Sequence, residues 1–446
     1  MNYVEKLSHS AVLGAAGKMG SGITLLLATE MVDLSLKPEN KDRLFRLHAI
    51  DISAKALQGL QDYLRAQLLR IAEKKAVALR AVYLNRHDLI ENRDIIRQYV
   101  DDAMRLISFS TRAESAYDAH LVFEAAVEDV DLKVAMIRQI EENSAGEPWY
   151  LTNTSSIPIS ELNEQCSLDG RIVGFHFYNP PAVQRILEYV APAGTRDDLA
   201  DFSLKLAASM RKVVVKANDF AGFIGNGFLM RDILFGIDMA MKLTEDTGFT
   251  GAVYAVNRVS NDFLLRPMGV FQLMDYVGID VCQKIMKVMS ERLDNPGLHS
   301  PLIDRLIALD VTGGQYSDGT QKPGMFSYAK GKISGVYDPD LQNYVPLDDV
   351  KVTADKYTGP LPETFKPWKE VIRIKDRGEI LARHFDALKK MDSPGSVMAM
   401  EYLRNARAIG LGLIADGIAN SAEDVNTVMM TGFYHAYGLI NDFAGD

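Results

Sequence analysis

The stretch SAVLGAAGKMGSGITLLLATEM, residues 10–31, limits the possible folds more than any other part of the chain. A short apolar strand runs into glycines at 14, 17, 20 and 22, and the chain leaves them as a helix. Glycines at such a bend permit a tight turn and a close approach of main chain to a pyrophosphate, while the helix N-terminus aims its free N–H groups at that charge. The spacing is GxxGxxG rather than GxGxxG. The next strand signal, LHAIDIS, carries Asp51 at its end. A carboxylate there can accept both ribose hydroxyls and would repel a 2′-phosphate, so NAD is expected rather than NADP. Gly14, Gly17, Lys18, Met19, Gly20 and Asp51 are the candidate contacts. Asp51 falls about ten residues later than the usual spacing, which makes Met31–Arg46 read as an insertion. The alternative is a tight structural turn with a solvated aspartate.

The same alternation continues. MRLISFST, AHLVFEAA, WYLTNTSS and RIVGFHFY are strand-like and separated by helical segments, the longest centred on LQDYLRAQLLRIAEKKAVAL. Strands alternating with helices argue for a parallel α/β sheet, here a Rossmann-like dinucleotide-binding domain over residues 1–218. From about Asp219 the pattern changes to long helices with apolar residues at helical spacing and no clear strands. The expected division is an all-α domain over 219–330, an irregular linker over 331–369 within a Gly/Asp/Pro/Lys-rich stretch from Gly313 to Pro367, and a second helical domain over 370–446. VNRVSNDFLLRPMGVFQLMD from Val256 and VNTVMMTGFYHAYGLIND from Val425 share an opening Val-Asn, an aromatic residue eight or nine positions in, and a glycine-to-aspartate ending. They suggest one helical unit used twice.

Composition narrows the function classes. With 446 residues, 47% hydrophobic and 24% charged, the chain can bury sizeable cores. A formal net charge of -10 argues against a broad nucleic-acid or anionic-membrane surface. Two cysteines, Cys166 and Cys282, are too few for a disulfide framework or a cysteine-built metal site. No metal is expected. No apolar run approaches the ~18 residues of a membrane span, and the first residues read as neither signal nor transit peptide. A cytoplasmic enzyme acting on a small molecule is the expectation.

The block RIVGFHFYNPPAVQRILEYV places two ionisable residues in otherwise buried strand. If Arg171–Tyr178 and Ile186–Val190 are antiparallel neighbours joined by Asn179–Arg185, pairing Tyr178 with Ile186 puts His176 opposite Glu188. Directly opposed residues share one face. A carboxylate beside an imidazole orients one ring nitrogen and stabilises the imidazolium, leaving the other nitrogen as a base.

GKMGSGI, HLVFEAAVEDVDLK, LTNTSS, GFHFYNPPAVQRILEYV and DFAGFIGNGFL come in the order and at the spacings of the 3-hydroxyacyl-CoA dehydrogenase family, which the chain resembles over residues 10–330 and more weakly over 370–446. The resemblance implies NAD-dependent oxidation of (3S)-3-hydroxyacyl-CoA to 3-oxoacyl-CoA, in fatty-acid β-oxidation or short-chain acyl-CoA metabolism. It makes His176 the base and Glu188 its partner. Ser155 and Asn226 would lie by the substrate, Asn179 would orient the site, and Glu128, Lys133 and Asn153 would lie at the cofactor. Lys74 would meet the CoA nucleotide, with Arg65, Arg70 and Lys75 nearby. Read from the residues alone, Ser155 is equally a cap for the helix starting at PISEL, and Glu128 with Lys133 a solvated pair. One position departs from the family: Gly227 stands where arginine is usual. The longer relatives carry two tandem helical domains, which implies that 370–446 replaces a dimer partner, giving a monomer with an internal pseudo-dimer; a homodimer is the alternative. A dehydrogenase of free 3-hydroxy acids and a non-catalytic NAD-binding relative are the other readings.

Overall fold

The computed structural model describes residues 2–316 and 319–445. They form two units, Met1–Asp219 and Phe220–Asp446.

The first unit is built on eight strands: β1 (His9–Leu13), β2 (Arg46–Ile50), β3 (Ile107–Ser110), β4 (Leu121–Glu124), β5 (Trp149–Thr152), β6 (Ile172–Phe177), β7 (Ile186–Val190) and β8 (Val213–Lys216). Their order across the sheet is β3-β2-β1-β4-β5-β6-β7-β8. β3 to β6 across this order run parallel, β7 is antiparallel to β6, and β8 is parallel to β7. Seven helices accompany them: α1 (Tyr3–Ser8), α2 (Gly20–Ser35), α3 (Ala54–Val82), α4 (Asn92–Arg105), α5 (Val130–Asn143), α6 (Ile159–Gln165) and α7 (Asp197–Ser209). α3 shows how the sequence sets these helices. Leu57, Leu60, Leu64, Leu68 and Ala72 recur every three or four residues and form its buried face, and the Ser53 hydroxyl caps its start by accepting from Ala56 N. The order reverses direction between β1 and β4. In such sheets a ligand crevice opens there, beyond the carboxyl ends of the strands.

The expected insertion at Met31–Arg46 is shorter than the spacing suggested. α2 continues through Ser35 because Met31, Val32 and Leu34 remain on its buried face, so only the chain from Leu36 to Phe45, with a 3-10 turn at Pro38–Asn40, is added before β2.

The second unit is helical: α8 (Phe223–Arg258), α9 (Val270–Val277), α10 (Ile279–Arg292), α11 (Pro301–Ala308), a small antiparallel sheet of β9 (Phe326–Ala329), β10 (Lys332–Asp338) and β11 (Asn343–Pro346), then α12 (Leu347–Thr358), α13 (Trp368–Val371), α14 (Gly378–Lys389), α15 (Pro394–Ala415) and α16 (Ala422–Thr427). The expectation of an irregular linker over 331–369 therefore does not hold. β10, β11 and α12 fill most of it, and Val336, Tyr337, Val350 and Ala354 are buried. Residues 317 and 318 of the wider Gly313–Pro367 stretch lie outside the described residues. One core joins all of this: residues of α8 to α10 pack with Val336, Val350, Leu381, Phe385 and Leu403. At its centre Arg266 Nη1 meets Asp232 Oδ2 at 2.9 Å, both almost fully buried, and the Tyr402 hydroxyl of α15 donates to the Asp232 carbonyl at 3.0 Å.

What holds the small sheet is polar. Asp275, at the end of α9, is fully buried and accepts from Met325 N at 2.6 Å, Phe326 N at 2.9 Å and the Tyr328 hydroxyl at 2.8 Å. No cation pairs with it among the described residues. Burial outweighs those three donors and pushes its carboxyl up to about 7. A folded-state value above the unfolded one means that the group's stabilising contribution is complete below the ordinary carboxylate range and is lost as pH rises through about 7. Asp275→Asn, whose amide turns an N–H against one of the donors, is expected to cost about 1–3 kcal/mol. In denaturant titrations the gap between wild type and variant should narrow from pH 5 to pH 8; a gap that widens would contradict this account.

The two similar sequence stretches share unusual geometry. Each enters a single π-helical turn, Val259–Phe263 or Val428–Gly432, two residues after an asparagine, Asn257 or Asn426. Eight residues after those asparagines Leu265 and Tyr434 have φ of +51° and +54°. A Cβ on Gly269 or Gly438 would lie 2.3 or 2.4 Å from the Oδ1 of the respective asparagine.

Candidate active site

The carboxyl ends of β1, β2, β4 and β5 carry the first half of the site. Gly14 has φ +72°, and a Cβ there would lie 2.6 Å from the Ala125 carbonyl oxygen at the end of β4. A Cβ on Gly20 would lie 2.0 Å from the Gly14 carbonyl oxygen, so the turn closes only with glycine at both positions. Gly17, Lys18 and Met19 complete the turn into α2, Lys18 exposed and Met19 half-buried. Asp51, just past β2, accepts from Ala16 N at 3.1 Å and Ser53 N at 3.2 Å, which fixes its carboxylate beside the glycine turn. Main chain, a helix N-terminus and a held carboxylate fit a dinucleotide.

Next to the turn lies a buried charge network that the sequence shows only in part. Lys133, on the first turn of α5, is 1% exposed, and its ammonium meets both oxygens of Glu124 at 2.7 and 2.8 Å. Glu124, at the end of β4, also accepts from Thr152 Oγ1 at 2.6 Å and Ala126 N at 2.7 Å. Glu128 Oε2 stands 3.4 Å from the same ammonium. The pairing expected of Glu128 and Lys133 thus exists, but it is not solvated, and Glu124 is the closer partner. Burial opposes the charge on Lys133, yet Glu124 and Glu128 outweigh it and hold the ammonium above its ordinary value.

Glu128 Oε1 gathers donors from the next loop: Thr154 Oγ1 at 2.7 Å, Ser155 N at 2.8 Å, Ser155 Oγ at 3.2 Å, Ser156 N at 2.9 Å and Ser156 Oγ at 2.8 Å. Burial alone would raise the Glu128 carboxyl; Lys133 and those donors outweigh burial and hold it below the ordinary value. Its contribution to stability is therefore complete above the unfolded value and lost as pH falls through the lower folded one. Comparing wild type with Glu128→Gln by denaturation, the difference should be larger at pH 7 than near pH 4; an unchanged difference would show that the network does not depend on this charge. Ser155 is accordingly bound to Glu128, and the expected cap of α6 is supplied instead by Asp219, which accepts from Ile159 N and Ser160 N.

β6 and β7 carry the second half. Their register pairs His176 with Glu188, as the turn position required. His176 Nδ1 lies 2.9 Å from Glu188 Oε2, and Glu188 is fully buried. The sequence reading missed Tyr178, whose hydroxyl donates to the same Glu188 oxygen at 3.1 Å and whose ring centre lies 5.2 Å from that of His176. Burial, with Glu188 beside it, holds this phenol well above its ordinary value, so it remains a donor. Its signal was its place two residues after His176, on the same strand face. Asn153 Oδ1 accepts from Phe177 N at 2.9 Å and so ties the end of β5 to the residue following His176. Because β6 runs parallel to β5, His176 lies at the same sheet edge as the ends of β4 and β5. Asn179 opens the turn that follows. A Cβ on Gly22 of α2 would lie 2.9 to 3.1 Å from ring atoms of Pro181, so that turn packs on the helix leaving the glycines.

The remaining candidates divide. Arg65 pairs with Asp101 at 3.8 Å, and Lys75 with Asp33 and Tyr99, while Arg70 and Lys74 are exposed on α3. Asn226 sits in the first turn of α8, in the second unit. Gly227 beside it has a steric reason: a Cβ there would lie 2.9 Å from Leu413 Cδ2 of α15. Arg231, one turn later, donates to the Gly227 carbonyl at 2.7 Å. Among the described residues no group of three or more His, Cys, Asp or Glu is placed to hold a metal, and no helix is long and apolar enough to cross a membrane.

Comparison with known proteins agrees with this geometry. The family model "3-hydroxyacyl-CoA dehydrogenase, NAD binding domain" matches residues 9–220, and "3-hydroxyacyl-CoA dehydrogenase, C-terminal domain" matches 222–322. A probable 3-hydroxybutyryl-CoA dehydrogenase of Bacillus subtilis is 27% identical over 300 residues, 66% of this chain and 91% of the relative. The human mitochondrial hydroxyacyl-coenzyme A dehydrogenase is 27% identical over 326 residues, 71% of this chain and 91% of the relative. The solved 3-hydroxybutyryl-CoA dehydrogenase of Escherichia coli K12 shares the fold, with a TM-score of 0.61 at 20% identity, over 97% of this chain and 90% of that one. With both domain models matched in order, the chain belongs to the 3-hydroxyacyl-CoA dehydrogenase family.

Proposed function

We propose that the protein oxidises (3S)-3-hydroxyacyl-CoA to 3-oxoacyl-CoA with NAD, and catalyses the reverse, in fatty-acid β-oxidation or short-chain acyl-CoA metabolism. The observation that carries this reading is the 2.9 Å contact of His176 Nδ1 with buried Glu188, at the strand edge where the glycine turn stands. With Nδ1 donating to the carboxylate, Nε2 is the ring nitrogen that takes the hydroxyl proton, and Glu188 balances the charge that the imidazole then gains. Tyr178 keeps that carboxylate from turning away. NAD, when bound, supplies the hydride acceptor. Gly14, Gly17, Gly20 and Asp51 hold it, and Glu128 keeps the Thr154–Ser156 loop in place so that Ser155 can face the substrate; Asn226 is the further substrate contact that membership of the family suggests. Exposed Lys74 supports a CoA substrate over a free acid, since an acidic chain must supply local cations for the nucleotide phosphates.

The shared π-turn geometry supports reading the second unit as the same helical element used twice, with Gly227 admitting Leu413 of the second copy. On that reading residues 370–446 stand where a second chain would otherwise pack, and the protein is a monomer.

The test follows NADH consumption with acetoacetyl-CoA, longer 3-oxoacyl-CoAs and free acetoacetate. Turnover of the thioesters is expected. Turnover of the free acid alone would replace the CoA reading, and turnover of none would overturn the assignment.

A further inference from the structure

We propose that Lys212 is a positioning residue that clamps the turn between His176 and Glu188 against the cofactor helix. The inference rests on the dehydrogenase reading above and adds to it a residue outside the site's first contacts. Lys212 immediately precedes β8, the parallel neighbour of β7. Its ammonium donates to the Pro181 carbonyl at 2.5 Å and the Gln184 carbonyl at 2.6 Å, and lies 5.3 Å from the centre of the Phe177 ring. These are the two ends of a four-residue bend in which Val183 N and Gln184 N both donate to Pro180 O. Two carbonyls that point the same way repel one another, and a cation between them removes that repulsion with charge-assisted bonds. The bend has a job beyond joining two strands. On one side it begins five residues after His176; on the other the Pro181 ring fills the space left by the missing side chain of Gly22. Gly22 belongs to the first turn of α2, whose N-terminus faces the expected pyrophosphate. Lys212 therefore fixes the base strand to the cofactor helix without touching either ligand. Misplacement of a catalytic group by about 1 Å costs on the order of 10²-fold in rate, so a clamp at this point is expected to act on the chemical step.

The experiment compares Lys212→Met and Lys212→Arg with wild type, using acetoacetyl-CoA and NADH, with active sites counted by NADH titration. The expected result for Lys212→Met is a fall in kcat per active site of about 10-fold or more. KM for the thioester should stay within twofold, and the isotope effect from deuterated NADH should increase. Lys212→Arg, which can still bridge two carbonyls, should recover most of the rate. Amide exchange at residues 182–187 should quicken in Lys212→Met and not in Lys212→Arg. A merely structural role would lower the number of active sites and leave kcat per site and the isotope effect unchanged; that result, or unaltered exchange in Lys212→Met, overturns the proposal. Wild type inactive on every thioester would instead sink the dehydrogenase reading, and the exchange measurement would still decide whether Lys212 clamps the turn.

Discussion

His176→Ala is expected to reduce kcat for 3-oxoacyl-CoA reduction by about 10²- to 10⁴-fold, the usual contribution of a positioned general acid or base. KM for the thioester and affinity for NADH should change little. Glu188→Gln should lower kcat less, since the imidazole remains and only its orientation and charge balance suffer. Steady-state kinetics with both variants checks this. Similar rates in wild type and His176→Ala would mean that the buried pair is structural. The expectation is firm on physical grounds: a glutamate with no exposed surface is costly unless its partners use the charge, and here one partner is an imidazole at the ligand edge of the sheet.

The second large effect concerns Lys133. Lys133→Met removes the only ammonium in contact with Glu124 among the described residues and leaves a carboxylate that is 0% exposed facing Thr152 Oγ1 and Ala126 N. Breaking a buried pair from one side costs about 3–5 kcal/mol. The first unit should therefore lose that much in denaturant unfolding, with weaker NADH binding as a consequence rather than the primary defect. The double variant Lys133→Met/Glu124→Gln should regain part of the loss, because no unpaired charge remains. If Lys133→Met folds as stably as wild type but binds NADH poorly, the lysine is a direct cofactor contact, as the family resemblance implied, and the structural account of it is wrong.

The parts of the site legible in the sequence were those set by local rules. Strand alternation and a Pro-Pro bend are enough to place His176 opposite Glu188, since one slipped residue would turn the imidazole to the other face. The glycine turn and Asp51 follow from backbone sterics over a short stretch. Glu124 was hidden because it ends an apolar strand and its partner Lys133 lies nine residues on, beyond any periodic signal. Asp219 as the cap of α6 comes from sixty residues away. The small sheet of β9 to β11 escaped for the same reason. Its strands are short and half-buried, and what fixes them is Asp275, a side chain fifty residues before the amides that it accepts. Gly227 could be seen as a departure but not explained, since its reason is a leucine on a helix far along the chain.

The central claim is that hydride leaves the carbon bearing the hydroxyl while His176 takes the proton. The direct measurement supplies (3S)-3-hydroxybutyryl-CoA carrying deuterium at C3, with NAD, and follows the label by mass spectrometry. The account predicts deuterium in the reduced cofactor, at a rate that falls by about 10²-fold or more in His176→Ala. Label that never reaches the cofactor, or reaches it equally fast without the imidazole, would contradict it.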